Sequence, residues 1–237
     1  MQNRRSMPRS KETTAVMTEE WTRKDALFVE PRLQALGVPH GLTARGLGPM
    51  ADAERRSAAS RAAGVLEDVP LVLKQVHGNV LYETALENSG KEGDGWIVGP
   101  GFLGGVFAAD CLPVFLWDET LRSIGVVHAG WRGIAAGILE EAAGRFEGRV
   151  SAAFGPHIGV CCYEVGPEFK DDFASEFFKG KNLNLGAAAR ARLETAGIAA
   201  ENIGVSSLCT HCCEDDFFSY RRDRQRRNMM AFAGLPR

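Results

Sequence analysis

The chain has 237 residues, 45% hydrophobic and 24% charged, enough for the core of one large domain or two tightly fused halves. Lys and Arg total 28 against 30 Asp and Glu, so the formal charge of −2 supplies no field for gathering nucleic acid or an anionic membrane. No apolar run approaches the roughly 18 residues of a membrane span, and the early arginines are not followed by the apolar stretch of a signal peptide, so a cytoplasmic location is expected.

Residues 1–22 mix Arg, Ser, Lys, Thr and Glu without periodicity and are expected to form a disordered leader, with Met7 and Met17 as candidate starts. Residues 23–237 are then a single domain. The alanine-rich stretch 50–64 predicts a helix stopping at Gly64, followed by an apolar strand over 71–76 that places His77 at a strand end. Short apolar runs at 104–109, 113–117, 124–128 and 150–154 predict strands of one sheet system. Between the last two, Ile134, Ile138, Leu139, Ala142 and Phe146 recur at helical spacing, with Glu140, Glu141 and Arg145 on the other side. Pro167 opens a further expected helix through Phe169, Phe173 and Phe177 to Gly180, and 187–196 predicts another. This irregular alternation favours an α/β or α+β sandwich over a regular doubly wound sheet.

Three segments concentrate unusual chemistry: Lys74-Gln75-Val76-His77-Gly78, Ala109-Asp110-Cys111-Leu112-Pro113 and Val127-His128-Ala129-Gly130-Trp131-Arg132-Gly133. Two imidazoles and a thiolate suit zinc, and three protein donors leave a fourth position open, the catalytic arrangement. Their separations form no metal motif, so a buried hydrophobic Cys and two satisfied histidines remain the plain alternative. Arg132, between Gly130 and Gly133 at the start of a helix, is a candidate anion-binding group. Cys209-Thr210-His211-Cys212-Cys213 looks like half of a zinc ribbon, but no second pair stands at ribbon spacing and Cys161-Cys162 is vicinal, which favours core thiols over a structural zinc. Phe217 to Arg222 offers either rings and guanidinium groups to a ligand or a buried Phe pair beside surface arginines, and Arg224 to Arg227 reads as a solvated basic face.

These residues resemble the laccase-domain (multicopper polyphenol oxidase) family, once grouped with cysteine hydrolases and now associated with purine nucleoside phosphorylase and adenosine deaminase activity. The resemblance runs from His40-Gly41 and Arg45 through Lys74 to Gly78, Asp94, Ala109 to Pro113, His128 to Gly133, Gly155-Pro156, Cys162-Tyr163-Glu164-Val165 and Cys209 to Phe217–Arg222. It implies an α+β fold, a layered sandwich of mixed β-sheets flanked by helices and similar to deamidating toxins. It implies that His77, Cys111 and His128 bind one zinc, with copper as the alternative metal, and serve as the catalytic centre. Arg45, Lys74, Arg132 and Arg222 become candidates for a nucleoside and phosphate pocket, and Asp110 for a carboxylate accepting from a ligand imidazole or a pocket arginine. The expected activity is phosphorolysis of adenosine, inosine or methylthioadenosine and deamination of adenosine, on small-molecule partners alone. Three rivals use the same residues: a cysteine hydrolase or deamidase with Cys111 as nucleophile, a copper-dependent polyphenol oxidase, for which five histidines are few, and a non-enzymatic, zinc-stabilised binding module.

Overall fold

Strands that bury side chains on both faces build the centre of the molecule. The structure, a computed structural model describing residues 20–65 and 69–236, contains two six-stranded mixed sheets. The first runs Thr22–Lys24, Leu27–Val29, His40–Thr43, Met229–Gly234, Leu103–Ala108, Leu71–Val72. The second runs Ile203–Val205, Val150–Phe154, Leu112–Asp118, Ile124–Ala129, Gly95–Val98, Leu81–Glu83.

Period-two alternation sorts their side chains into layers. From Met229–Gly234, Met229, Ala231 and Ala233 point between the sheets toward Trp96, Phe115 and Val126, whereas Met230 and Phe232 pack outward with Met50 and with Ala59 of the helix Ala53–Ala62. From Leu112–Asp118, Phe115 and Trp117 point between the sheets, while Leu112, Val114 and Leu116 meet the helices Ile138–Ala143 and Leu185–Thr195. The order is helix, sheet, sheet, helices, the expected α+β sandwich of mixed sheets. Unbroken apolar strands such as Leu112–Asp118 follow because both of their faces are covered.

The sheets approach closely at Gly104, where a Cβ would lie 2.6 Å from Val98 Cγ2 and 3.0 Å from Trp96 Cβ, and the Trp96 indole donates to Gly105 O at 3.3 Å. Gly104→Ala is expected to cost about 1–3 kcal/mol by overpacking. Urea denaturation checks this, and a variant as stable as the parent would show that the sheets tolerate separation there.

Several elements differ from their expected forms. The first nineteen residues of the expected leader lie outside the described residues, but its last three belong to the fold. The Glu20 carboxylate accepts from Ser206 Oγ at 2.7 Å, Trp21 is buried against Phe115, and Thr22 opens the first strand. The helix expected over 50–64 spans Ala53–Ala62, capped by Asp52, whose carboxylate accepts from Arg55 N at 2.9 Å. The strand expected over 71–76 keeps only Leu71–Val72. The helix expected from Ile134 divides into Trp131–Ala135 and Ile138–Ala143, because Gly137 adopts φ 87°. The expected helix from Pro167 is two 3₁₀ turns, Pro167–Asp171 and Ser175–Phe177. Phe169 and Phe173 still enter the core, but Asp171, Asp172 and Ser175 favour turns over a helix interior, and Asn184 N bonds Phe177 O at 2.7 Å. The helix expected over 187–196 spans Leu185–Thr195, capped by Asn184.

Candidate metal centre and its cavity

Strand register assembles the site. Leu112 pairs with Ala129 and Pro113 with His128, so Cys111, just before its strand, arrives beside Gly130, just after the neighbouring one. Gly95 pairs with Val127, which sets Asp94 against His128, and His128 N bonds Asp94 O at 2.7 Å. His77 rides on an irregular segment that the buried Asp94 carboxylate captures by accepting from the N–H groups of Val76, His77 and Gly78 at 3.2, 2.9 and 2.7 Å. The same carboxylate accepts from His128 Nδ1 at 2.8 Å.

One ligand atom each from His77, Cys111 and His128 lies within 4.8 Å of the others. A carboxylate only accepts, so Nδ1 of His128 carries a proton, and in the neutral ring Nε2 is the nitrogen left to bind a metal. Gly130 leaves the floor of the site clear: a Cβ there would lie 3.0 Å from His77 Cδ2 and 3.4 Å from Cys111 Sγ. Two non-glycine residues here have left-handed backbone, His77 at φ 62° and Asp110 at φ 89°. Such conformations cost about 1–3 kcal/mol each and persist where surrounding bonds over-determine them. Asp94 does so for His77. Asp110 is held by its own carboxylate, which accepts from Thr210 Oγ1 at 2.7 Å, Ser219 Oγ at 3.1 Å and Arg221 N at 2.7 Å.

The three ionisable groups Cys111, His128 and Asp94 hold one another in their charged forms. Burial alone would raise the Cys111 thiol, but the charge of His128 and hydrogen bonds from both imidazoles pull it below the ordinary thiol value. Burial would depress His128, but the Cys111 thiolate and the Asp94 carboxylate push it up. Burial also opposes ionisation of Asp94, yet His128 and the backbone N–H groups hold it below the usual carboxylate range. Soft thiolate, two imidazoles and a fixed tautomer make a set that fits zinc.

A cavity of about 250 Å³ opens on His77 and Cys111, with His128 buried behind them, and is walled by Trp131, Arg132, Tyr163 and Arg221. Phe169 backs both aromatic walls, with centroids 4.4 Å from Trp131 and 6.3 Å from Tyr163. Arg221 stacks 5.3 Å over the Tyr163 ring while its Nη1 donates to Glu164 O at 2.6 Å. Arg132 lies 4.3 Å over the Trp131 ring and makes no ion pair among the described residues. Its helix is only five residues long, so the anion-binding reading rests on the guanidinium rather than on a helix terminus.

Of the four cations expected at the pocket, only Arg132 lines this cavity. Lys74 is exposed and pairs with Glu92 at 2.7 Å. Arg45 donates to Glu214 O at 2.9 Å, and Arg222 ties together the carbonyls of Thr210, His211 and Phe217. The carboxylate that orients a ligand imidazole belongs to Asp94, whereas Asp110 accepts from Thr210, Ser219 and the backbone N–H of the cavity arginine Arg221. Phe217 and Phe218 form the buried pair, and Arg224 and Arg226 are exposed. Asp94 stands between glycines just before an apolar strand, but only strand pairing reveals its role. Tyr163 and Arg221 lay inside quoted motifs, but nothing in those motifs singled them out as cavity walls.

The family described as multi-copper polyphenol oxidoreductase laccase matches residues 48–236. The purine nucleoside phosphorylase YfiH of Escherichia coli (strain K12) is 36% identical over 187 residues, which cover 73% of this chain and 77% of that one. Adenosine deaminase RL5, from an unknown prokaryotic organism, is 39% identical over 140 residues, 52% of this chain and 53% of that one. The crystal structure of YlmD from Geobacillus stearothermophilus superposes with a TM-score of 0.81 at 25% identity, covering 92% of this chain and 99% of that chain. Matched along most of its length in both sequence and fold, the chain belongs to the multi-copper polyphenol oxidoreductase laccase family.

Proposed function

We infer that this chain is a zinc-dependent purine nucleoside enzyme, which phosphorolyses adenosine, inosine or methylthioadenosine and deaminates adenosine. The observation that carries this reading is the convergence of His77, Cys111 and His128, the first two lining a cavity with two aromatic walls and two guanidinium groups. The names borne by the phosphorylase YfiH and the deaminase RL5 support the substrate class. His77, Cys111 and His128 would hold the zinc ion, which when bound would supply Lewis acidity and ease the ionisation of water near neutral pH.

The chain's own residues do the rest. Trp131 and Tyr163 offer flat faces to a purine, and Phe169 behind them keeps those faces in place. Arg132 and Arg221 neutralise phosphate, so that one of its oxygens can attack the ribosyl C1′ while the C1′–N9 bond breaks and its electron pair leaves with the base. Deamination needs no phosphate: water adds at C6 and ammonia departs. Asp94 keeps His128 in the tautomer that leaves Nε2 free.

Arg132→Ala is therefore expected to raise the KM for phosphate about ten- to a hundredfold, the worth of one charge-assisted hydrogen bond, and to leave deamination nearly unchanged. Assays of adenosine consumption with and without phosphate read both arms. If neither reaction is detectable in metal-replete protein with adenosine or inosine, this reading is wrong.

The line Cys111, His128, Asp94 also matches a thiol hydrolase, with a lowered thiol, a raised imidazole and an orienting carboxylate. His77 separates the two readings: it adds a second imidazole to the sulfur, which a metal site uses and a nucleophilic pair does not require. The two imidazoles here serve one mononuclear site, while His40 and His157 are spent on backbone contacts with Val38 and Gly155, which leaves little for multicopper chemistry.

A further inference from the structure

The cysteines of 209–213 were expected to be core thiols. Only Cys209 is buried, whereas Cys161 and Cys212 are exposed and Cys162 and Cys213 lie between these extremes. The chain brings two distant segments together. A bridge joins His157 to Cys209, His157 N bonds Leu208 O at 3.3 Å, and Thr210 N bonds His157 O at 3.0 Å. The turns that follow each segment then face one another. Cys212 Sγ lies 3.6 Å from Cys161 Sγ and 3.4 Å from Cys162 Sγ, and all four sulfurs of Cys161, Cys162, Cys209 and Cys212 fall within 4.8 Å.

We propose that Cys161, Cys162, Cys209 and Cys212 form a closed tetrathiolate site for a structural zinc ion, separate from the His77–Cys111–His128 centre. The missing half of the ribbon is the vicinal pair, whose two adjacent side chains supply two corners of the tetrahedron. A tetrahedral site with zinc–sulfur bonds of about 2.3 Å sets its sulfurs about 3.8 Å apart, close to the spacing found. Cys209-Thr210-His211-Cys212 has the C-x-x-C spacing of structural zinc sites. The backbone supports one of these sulfurs as an anion: Cys209 Sγ accepts from Gly159 N at 3.2 Å. A Cβ on Gly159 would sit 3.2 Å from Cys161 Sγ and 3.3 Å from Cys209 Cβ, so glycine keeps the cluster tight. Four protein ligands leave no open position, the mark of a structural rather than catalytic site. Binding releases the thiol protons to solvent and fastens the two turns to each other.

The clasp bears on the cavity without entering it. Tyr163, a cavity wall, directly follows Cys162, and Thr210, inside the C-x-x-C turn, donates to the Asp110 carboxylate that also accepts from Arg221 N.

The inference does not rest on the proposed activity. Its test is elemental analysis of untagged wild-type protein, Cys111→Ala and the double variant Cys161→Ser with Cys212→Ser, together with the absorption spectrum of cobalt-reconstituted Cys111→Ala. One zinc equivalent is expected to survive Cys111→Ala and to be lost in the double variant. The cobalt form should show thiolate-to-metal charge transfer and the d–d bands of a tetrahedral sulfur field. If the double variant is insoluble, the Cys111→Ala count and the cobalt spectrum decide. Cys111→Ala protein that holds neither zinc nor cobalt, or peptide mapping that finds these cysteines joined as disulfides, would overturn the proposal.

Discussion

Cys111→Ala is expected to lower adenosine turnover by about a thousandfold or more, the scale on which loss of a central catalytic group is felt, while the far-ultraviolet circular dichroism stays that of the parent. The thiolate is the one anionic donor of the centre, and its loss leaves only the imidazoles of His77 and His128 facing the cation. Cys111 precedes the strand Leu112–Asp118 rather than lying in it, and it is half-buried, so the fold loses little packing. Both the metal reading and the thiol-nucleophile reading require lost turnover, so metal content is measured on the same sample. The metal reading expects one fewer zinc equivalent than in the parent. An unchanged zinc count with turnover abolished would transfer the role of Cys111 to nucleophilic attack.

Asp94→Asn is expected to weaken metal affinity about ten- to a hundredfold and to destabilise the fold by about 2–4 kcal/mol. The substitution keeps the shape and changes the bonding. The Asp94 carboxylate accepts four N–H groups, from Val76, His77, Gly78 and the His128 ring. An amide has one acceptor oxygen, and whichever way it turns, its NH₂ group opposes a donor inside a buried site. His128 loses the partner that fixes its tautomer, and His77, in its left-handed conformation, loses the bonds that hold it there.

The pH dependence has a definite sign. The folded-state value for Asp94 lies below the ordinary carboxylate value of about 3.9. Its stabilisation is therefore fully present above that value and is lost as pH falls toward and through the lower folded-state value. The variant should lack this part of the acid limb. Chelator competition and urea denaturation across acid pH measure both effects, and parental metal affinity in Asp94→Asn would show that the carboxylate does not serve the centre.

The layers of this fold were legible because their pattern is local. Runs such as 113–117 are apolar without interruption, and only strands covered on both faces bury them. The broken helix after Trp131 was less so: apolar spacing continues across Gly137, and only the left-handed turn there divides it. Pro167 to Gly180 misled because Phe169, Phe173 and Phe177 have helical spacing while the residues between them prefer turns. At the site, His77, Cys111 and His128 stood out as metal-competent side chains beside turn residues. The partnership of Asp94 with His128 depends on the pairing of Gly95 with Val127, and the cysteine cluster on the bridge between His157 and Cys209. Neither contact leaves a trace in residue spacing. Lys74, Arg45 and Arg222 show the converse: a cation near a motif can be spent on a surface pair or on backbone carbonyls.

The most direct measurement of the central claim is adenosine turnover in the presence of phosphate, titrated with zinc from the metal-stripped protein after zinc has been restored to the four-cysteine cluster, judged by the cobalt and zinc counts above. Zinc-dependent catalysis at His77, Cys111 and His128 predicts negligible turnover at the start and a linear rise that ends at one further equivalent. Full turnover before that equivalent is added, abolished by alkylation of Cys111, would contradict it.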